Sequence, residues 1–207
     1  MIRVLVTAFG AFPGARSNPT LAIARELERR HGKRLARLSI ALHVRILPVR
    51  FAQVEGALMA SLYAVGPDVV LHLGLAARRP TLSVELRALN RLGILRPDAG
   101  RALAASRAVK PGASFQRLAT WPAGRIRVAM DRSAATRLSM DAGDYVCNQT
   151  LFLTLERFKG PVGFIHVPRP RKGGRRRPGL GAMVEATAAA ALVMSVATRS
   201  LFPAPRT

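Results

Sequence analysis

Asp68-Val69-Val70-Leu71-His72-Leu73-Gly74-Leu75 is the stretch that decides the fold. It is apolar without alternation, apart from His72. Strands buried on both faces read this way, and such strands belong to parallel sheets. Gly66-Pro67 stands just before it and stops a helical stretch over 51–65, where Val54, Leu58, Leu62 and Val65 fall three or four apart. The same alternation extends in both directions. Residues 2–8 form another apolar run, interrupted only by Arg3 and Thr7. Asn18-Pro19 then starts a helix, with Asn as N-cap and Pro at the first helical position. Ile23 and Leu27 share a face of that helix, and Gly32 is expected to close it. A strand over 43–49 follows, ended at Pro48.

Towards the C-terminus the pattern continues. Residues 82–89 alternate weakly, and 91–118 show no period, so irregular structure or a flap is expected there. The segment 122–132 is ambiguous: Arg125-Ile126-Arg127-Val128 alternates as a strand does, yet Ile126 and Met130 are four apart. A short strand over 136–140, a helix over 147–158, a strand over 161–167 and a helix over about 180–201 complete the series. Strands alternating with helices, without internal repeats, predict an α/β fold with a mostly parallel sheet covered on both faces. At 207 residues, one domain spanning 1–207 is expected.

Composition narrows the function classes. The single cysteine rules out an internal disulfide framework and suits a reducing compartment, so a cytoplasmic location is expected. The apolar start is too short for a signal peptide. The Ala-rich run over 182–197 carries Glu185 and is short for a membrane span, so a packed C-terminal helix is expected. The net charge is +22, carried mostly by Arg. Such a charge attracts polyanions. Only 5% of residues are aromatic, no nucleic-acid motif is present, and a GC-rich coding bias enriches Arg and Ala together, so nucleic acid is not an expected partner. The loop over 169–178, rich in Arg, Pro and Gly, is read as solvated, with a polyanion contact as the sharper alternative. No metal-spaced His/Cys cluster is present, so neither a metal nor a cofactor is expected.

The chemistry is concentrated in two stretches, Ser139-Met140-Asp141-Ala142-Gly143-Asp144-Tyr145-Val146-Cys147-Asn148 and Gly163-Phe164-Ile165-His166-Val167-Pro168. Cys147 stands where a Gly-bearing turn runs into a helix, and His166 ends a strand. A lone cysteine is more often a small buried hydrophobe. A thiol at a helix start together with a histidine at a strand end nevertheless supplies the parts of a Cys/His nucleophile pair. Glu85 is one of only 11 acidic residues and lies among apolar neighbours; on residue pattern alone it reads as an exposed carboxylate on an edge strand. His72 is read as structural.

Four blocks in order carry a family resemblance. Val6-Thr7-Ala8-Phe9-Gly10-Ala11-Phe12 with Asn18-Pro19-Thr20 resembles a V-T-G-F-G-P-F…N-P-S opening. The stretch from His72 to Ala76 with Glu85 to Asn90 resembles H-x-G-L-A…E-R-x-A-x-N. Residues 139–148 resemble S-x-x-A-G-x-Y-x-C-N, and 163–168 resemble G-F-I-H-V-P. The chain is similar to the pyroglutamyl peptidases of the cysteine type (pyrrolidone-carboxylate peptidases). The resemblance implies a three-layer α/β/α sandwich with a twisted central sheet, a homo-oligomer (dimer or tetramer), and a helix over 122–132. It implies an exopeptidase that removes N-terminal pyroglutamate from peptides through a thioester acyl-enzyme. By motif, the catalytic residues fall on Cys147, His166 and Glu85, with the helix start favouring a Cys147 thiolate. Phe9 and Phe12 map onto an aromatic pair that sandwiches the lactam. Leu75, Tyr145 and Val146 complete the substrate-binding set. The sequence departs from the family at Ala8, Ala11 and the arginine expected after Asn90. Alignment on Pro97-Asp98 puts Leu95 in that arginine's place, and Arg96 is expected to take over by a one-residue loop shift. A relative with impaired catalysis, binding polyanions through the arginines between 169 and 177, is the alternative.

Overall fold

The computed structural model describes residues 1–170 and 177–201. Most of the basic loop expected over 169–178 therefore lies outside the described residues. The elements in chain order are β1 (Ile2–Phe9), α1 (Pro19–Arg37), β2 (Ile40–Leu47), α2 (Val54–Val65), β3 (Val69–Leu75), β4 (Leu82–Glu85), β5 (Arg87–Leu89), β6 (Gln116–Leu118), α3 (Ala123–Asp131), β7 (Thr136–Ser139), α4 (Val146–Arg157), β8 (Val162–Val167) and α5 (Leu180–Leu201). Six strands form one sheet in the order β2-β1-β3-β8-β4-β7. All neighbours are parallel except β4 and β8, which run antiparallel. The sheet is mostly parallel and mixed at one joint, as the unbroken apolar strands require.

Helices cover both faces. On one side, Ile23 and Leu27 of α1, Ile126 and Met130 of α3, and Met183 and Val184 of α5 pack on Val4, Val6, Leu71, Leu73 and Ile165. On the other, Val54 and Leu58 of α2 and Leu151 and Phe152 of α4 pack on Leu5, Val70, Val162 and Phe164. By length and composition α5 would suffice to cross a membrane. Its Met183, Val184, Ala190 and Met194 are instead fully buried against the body of the protein.

Several boundaries differ from the sequence reading. Helix α1 runs through Gly32 to Arg37, with Leu38 as C-cap and Ser39 left-handed at φ 55°. Gly32 does not close it, because His31 and Leu35 on the same face are buried and hold the helix against its neighbours. The 82–89 segment divides into β4 and β5, and β5 leaves the main sheet to pair with β6, inside the stretch read as irregular. The 122–132 segment is helical, since Ile126 and Met130 are both fully buried on one side.

His72 is structural. Its ring is fully buried in β3 between Thr7 Oγ1 (2.6 Å from Nδ1) and Thr154 Oγ1 (2.9 Å from Nε2). The Thr154 hydroxyl donates to the Thr150 carbonyl, so it accepts from Nε2–H, and Thr7 donates to Nδ1. Burial holds the His72 pKa down to about 3. The unfolded chain takes up this proton near pH 6.5 while the folded chain refuses it. Stability should therefore fall as pH drops from about 6.5 towards 3, by about 1.4 kcal/mol per pH unit from this residue. Urea unfolding of wild type and His72→Asn across that window should show the steeper decline in the wild type; equal slopes would refute the assignment.

Candidate active site

The site sits at the C-terminal edge of β1, β3 and β8, where loops of an open α/β sheet can gather side chains. A cavity of about 180 Å³ opens there. That is below the usual size of drug-binding pockets and suits one small group. Phe9, Phe12, Leu75, Arg96, Tyr145, Val146, Cys147 and His166, all expected from sequence, line it together with Arg79.

Helix α4 starts at Val146 after a turn in which Gly143 takes φ 85°. Tyr145 is the N-cap and provides no side-chain cap. The amides of the first helical turn have no acceptor within the helix, so they are free to meet a developing negative charge beside Cys147. Beneath the thiol lies Gly74. A β-carbon at that position would stand 2.9 Å from Cys147 Sγ and 2.5 Å from the Phe164 ring. The absence of a side chain at Gly74 thus gives the thiol its seat.

His166 and Glu85 meet across the one antiparallel joint of the sheet. His166 opposes Ser83 in β4, so Glu85, two residues on, is its diagonal neighbour on the same face. His166 Nδ1 lies 2.8 Å from Glu85 Oε1. An ionised carboxylate only accepts, so Nδ1 carries the proton and Nε2 is left for the cavity. The ring rests on Phe164, with centroids 4.6 Å apart. Glu85 is completely buried rather than exposed on an edge. Burial works to raise its pKa. The hydrogen bond and charge of His166, with Ser139 and Arg79, outweigh this and hold it below its ordinary value.

Two partners of Glu85 were not legible in the sequence. Arg79 Nη1 donates to the same Oε1 at 2.5 Å, and its Nη2 donates to the Asp141 carbonyl at 2.6 Å. Trp121 Nε1 donates to the Glu85 backbone carbonyl at 3.2 Å. Among 33 basic residues nothing local distinguishes Arg79. Its only signal is a position six residues before Glu85.

The aromatic wall is built partly from the core. Phe9 is 2% exposed and packs with Leu5, Leu47 and Phe51, so it serves folding as well as the cavity. Phe12 is half-buried in a loop closed by its paired backbone bonds with Ala15, and it leans on Tyr145 at 5.9 Å. Tyr145 is held edge-on by Phe51 at 5.2 Å, and its hydroxyl donates to the Pro97 carbonyl at 2.8 Å. Leu95 is 89% exposed and lies outside this cavity. Arg96 enters the wall instead, over the Tyr145 ring at 5.3 Å and paired with Asp144.

The thiol differs from expectation. Burial, and then the negative charge of Glu85, pushes Cys147 up to about 12, against the pull of its own amide, Arg96 and Arg79. A helix start contributes about 0.3–1 kcal/mol to an anion, whereas desolvation shifts buried groups by up to about 3–5 pKa units. Desolvation wins, so the resting group is a thiol. Iodoacetamide alkylation of the free protein should therefore keep accelerating, about tenfold per pH unit, from neutrality past pH 9. A plateau below pH 8 would show a preformed thiolate.

The family described as Pyroglutamyl peptidase matches residues 2–199. The chain belongs to the pyroglutamyl peptidase family. It is 33% identical over 198 residues to a pyrrolidone-carboxylate peptidase of Chromobacterium violaceum, covering 95% of this chain and 91% of the relative. The pyrrolidone-carboxylate peptidase of Pyrococcus furiosus is 32% identical over 173 residues, covering 81% of each. A solved mutant pyrrolidone carboxyl peptidase from Pyrococcus furiosus superposes with a TM-score of 0.84 at 28% identity, covering 95% of this chain and 99% of that one. The Thermus thermophilus pyrrolidone carboxyl peptidase gives 0.79 at 33% identity, covering 90% and 97%. The three-layer α/β/α architecture is thus common to this pyroglutamyl peptidase family member and its solved relatives.

Proposed function

We propose that the protein is a cysteine exopeptidase that hydrolyses the bond following an N-terminal pyroglutamyl residue. The observation that carries this is the Glu85–His166 pair behind a cavity that holds Cys147 at a helix start. Cys147 Sγ attacks the acyl carbonyl while His166 Nε2 takes the thiol proton. The oxyanion forms at the first-turn amides of α4. Collapse breaks the C–N bond, His166 returns the proton to the leaving amine, and a thioester remains on Sγ. A water molecule, deprotonated by His166, then releases pyroglutamate and restores the thiol. Glu85 keeps Nδ1 protonated throughout and stabilises the imidazolium.

The lactam is small, flat and uncharged, and it fits between Phe9 and Phe12 with Leu75, Tyr145 and Val146 around it. Phe12→Ala should raise KM several-fold while lowering the melting temperature only slightly, because stacking adds about 0.5–1.5 kcal/mol and Phe12 is only partly buried, at the margin of the core. An unchanged KM would remove the ring from the subsite. We also take the chain to act as one peptidase domain in a reducing cytoplasm, consistent with its single unpaired cysteine. Homo-oligomerisation belongs to the same reading; β2 is an outer strand of the sheet with Ile46 45% exposed. Turnover of a pyroglutamyl anilide, insensitive to chelator, tests the activity. Salt-sensitive binding of a polyanion without any turnover would favour the binding-module alternative instead.

A further inference from the structure

A second, larger and more open cavity of about 640 Å³ adjoins the one that holds Cys147. Arg91, Arg96 and Arg107 line it, with Ile94, Leu95 and a single acid, Asp144. Arg96 and Asp144 line both cavities and so form a shared wall. This wall is fixed from below. The Gly93 amide donates to the Asp144 carbonyl at 2.7 Å, and the Asp144 carboxylate lies where a side chain at Gly93 would start, 2.5 Å from that point. The three cations differ in engagement. Arg91 pairs with Asp141 at 2.7 Å and Arg96 pairs with Asp144. Arg107 has no carboxylate partner among the described residues. Three guanidinium groups against one lining carboxylate leave the basin with surplus positive charge. No aromatic ring among the described residues lines it, so these offer no platform for stacking a nucleobase.

We propose that this basin receives the leaving part of the substrate and binds a carboxylate there. The carboxylate is either the side chain of an acidic residue following pyroglutamate or the C-terminus of a pyroglutamyl dipeptide. The inference rests on the peptidase reading above: the ring fills the small cavity, and the chain beyond the scissile bond passes over Arg96 into the basin. A guanidinium fork matches a carboxylate with two parallel N–H···O bonds, and among the described residues no carboxylate occupies the Arg107 fork. The net charge of +22 draws such anionic substrates towards the molecule.

The test compares wild type with Arg107→Gln on four substrates: pyroglutamyl-glutamate amide, pyroglutamyl-alanine with a free C-terminus, pyroglutamyl-alanine amide and a pyroglutamyl anilide. In the wild type, at least one carboxylate-bearing dipeptide should exceed the alanine amide about tenfold in kcat/KM, the ratio that one charge-assisted bond of about 1.4 kcal/mol gives. That ratio should collapse towards 1 in Arg107→Gln and at about 0.5 M salt. The anilide should be turned over equally by both proteins. Preference for the glutamate amide assigns the site to a side chain, and preference for free alanine assigns it to the terminus; either supports the proposal. Equal rates on all three dipeptides would overturn it and leave the peptidase reading standing. Failure to cleave the anilide at all would remove the peptidase reading. Calorimetric binding of the three dipeptides would then decide the basin separately, with equal or absent binding overturning it.

Discussion

Replacement of Cys147 by alanine is expected to abolish turnover of a pyroglutamyl anilide, by on the order of 10⁴-fold or more, while the protein stays folded. The loss is large because the thiol, seated over Gly74, is the atom that would form the acyl bond. Removing the nucleophile or the base of a nucleophile–base–orienter set costs nearly as much as removing all of it. Stability should change little. The side chain is half-buried at a cavity wall, and deleting one sulfur there costs about 1 kcal/mol. Far-UV circular dichroism and the melting temperature provide the control. A Cys147→Ala protein retaining activity within tenfold of wild type would place the nucleophile elsewhere.

Glu85→Gln should lower the rate less than loss of Cys147 or His166 does, and it should act on rate and stability together. The carboxylate accepts from both His166 Nδ1 and Arg79 Nη1 through one oxygen. A carboxamide can offer an N–H towards Nδ1, which would move the imidazole proton to Nε2, the nitrogen that must accept from the thiol. A wrong tautomer of this kind in an otherwise intact triad costs about 10⁴ in kcat. Glutamine keeps an oxygen as well as an N–H, so the effect here should lie between about 10² and 10⁴. The structural loss is separate. Arg79 is 19% exposed and loses its only anionic partner among the described residues, and breaking a buried pair from one side costs about 3–5 kcal/mol. Partial exposure places the expected cost near or below the lower end of that range. Arg79→Met together with Glu85→Gln should recover part of the melting temperature but none of the rate. Recovery of rate would show that Glu85 acts only as a counter-ion to Arg79.

The positions of Arg79 and Arg96 show where sequence reading stops. Arg96 was reachable because an alignment on Pro97-Asp98 left Leu95 in an arginine's place, and a loop can shift by one residue without cost to the sheet. The structure has Leu95 in solvent and Arg96 over Tyr145. Arg79 had no such signal. Its guanidinium reaches the Glu85 oxygen, a contact set by how the β3–β4 connection folds back over β4. Phe9 ends β1 and lines the cavity, and its ring belongs at the same time to the core of the α2/α4 face.

The sequence by itself determined the layers. Apolar strands without alternation must be covered on both faces, and helices with a single apolar stripe are what covers them. It also determined the chemical types available to the site: a thiol, an imidazole and a carboxylate. Tertiary structure decided what is set by distance and burial. The antiparallel joint between β4 and β8 brings Glu85 beside His166, residues 81 apart in the chain. The packing of Phe164 and the bare backbone of Gly74 around Sγ hold Cys147 as a thiol, against the pull of its helix start. Hydration free energy depends on everything that surrounds a group, and local sequence specifies only the neighbours along the chain.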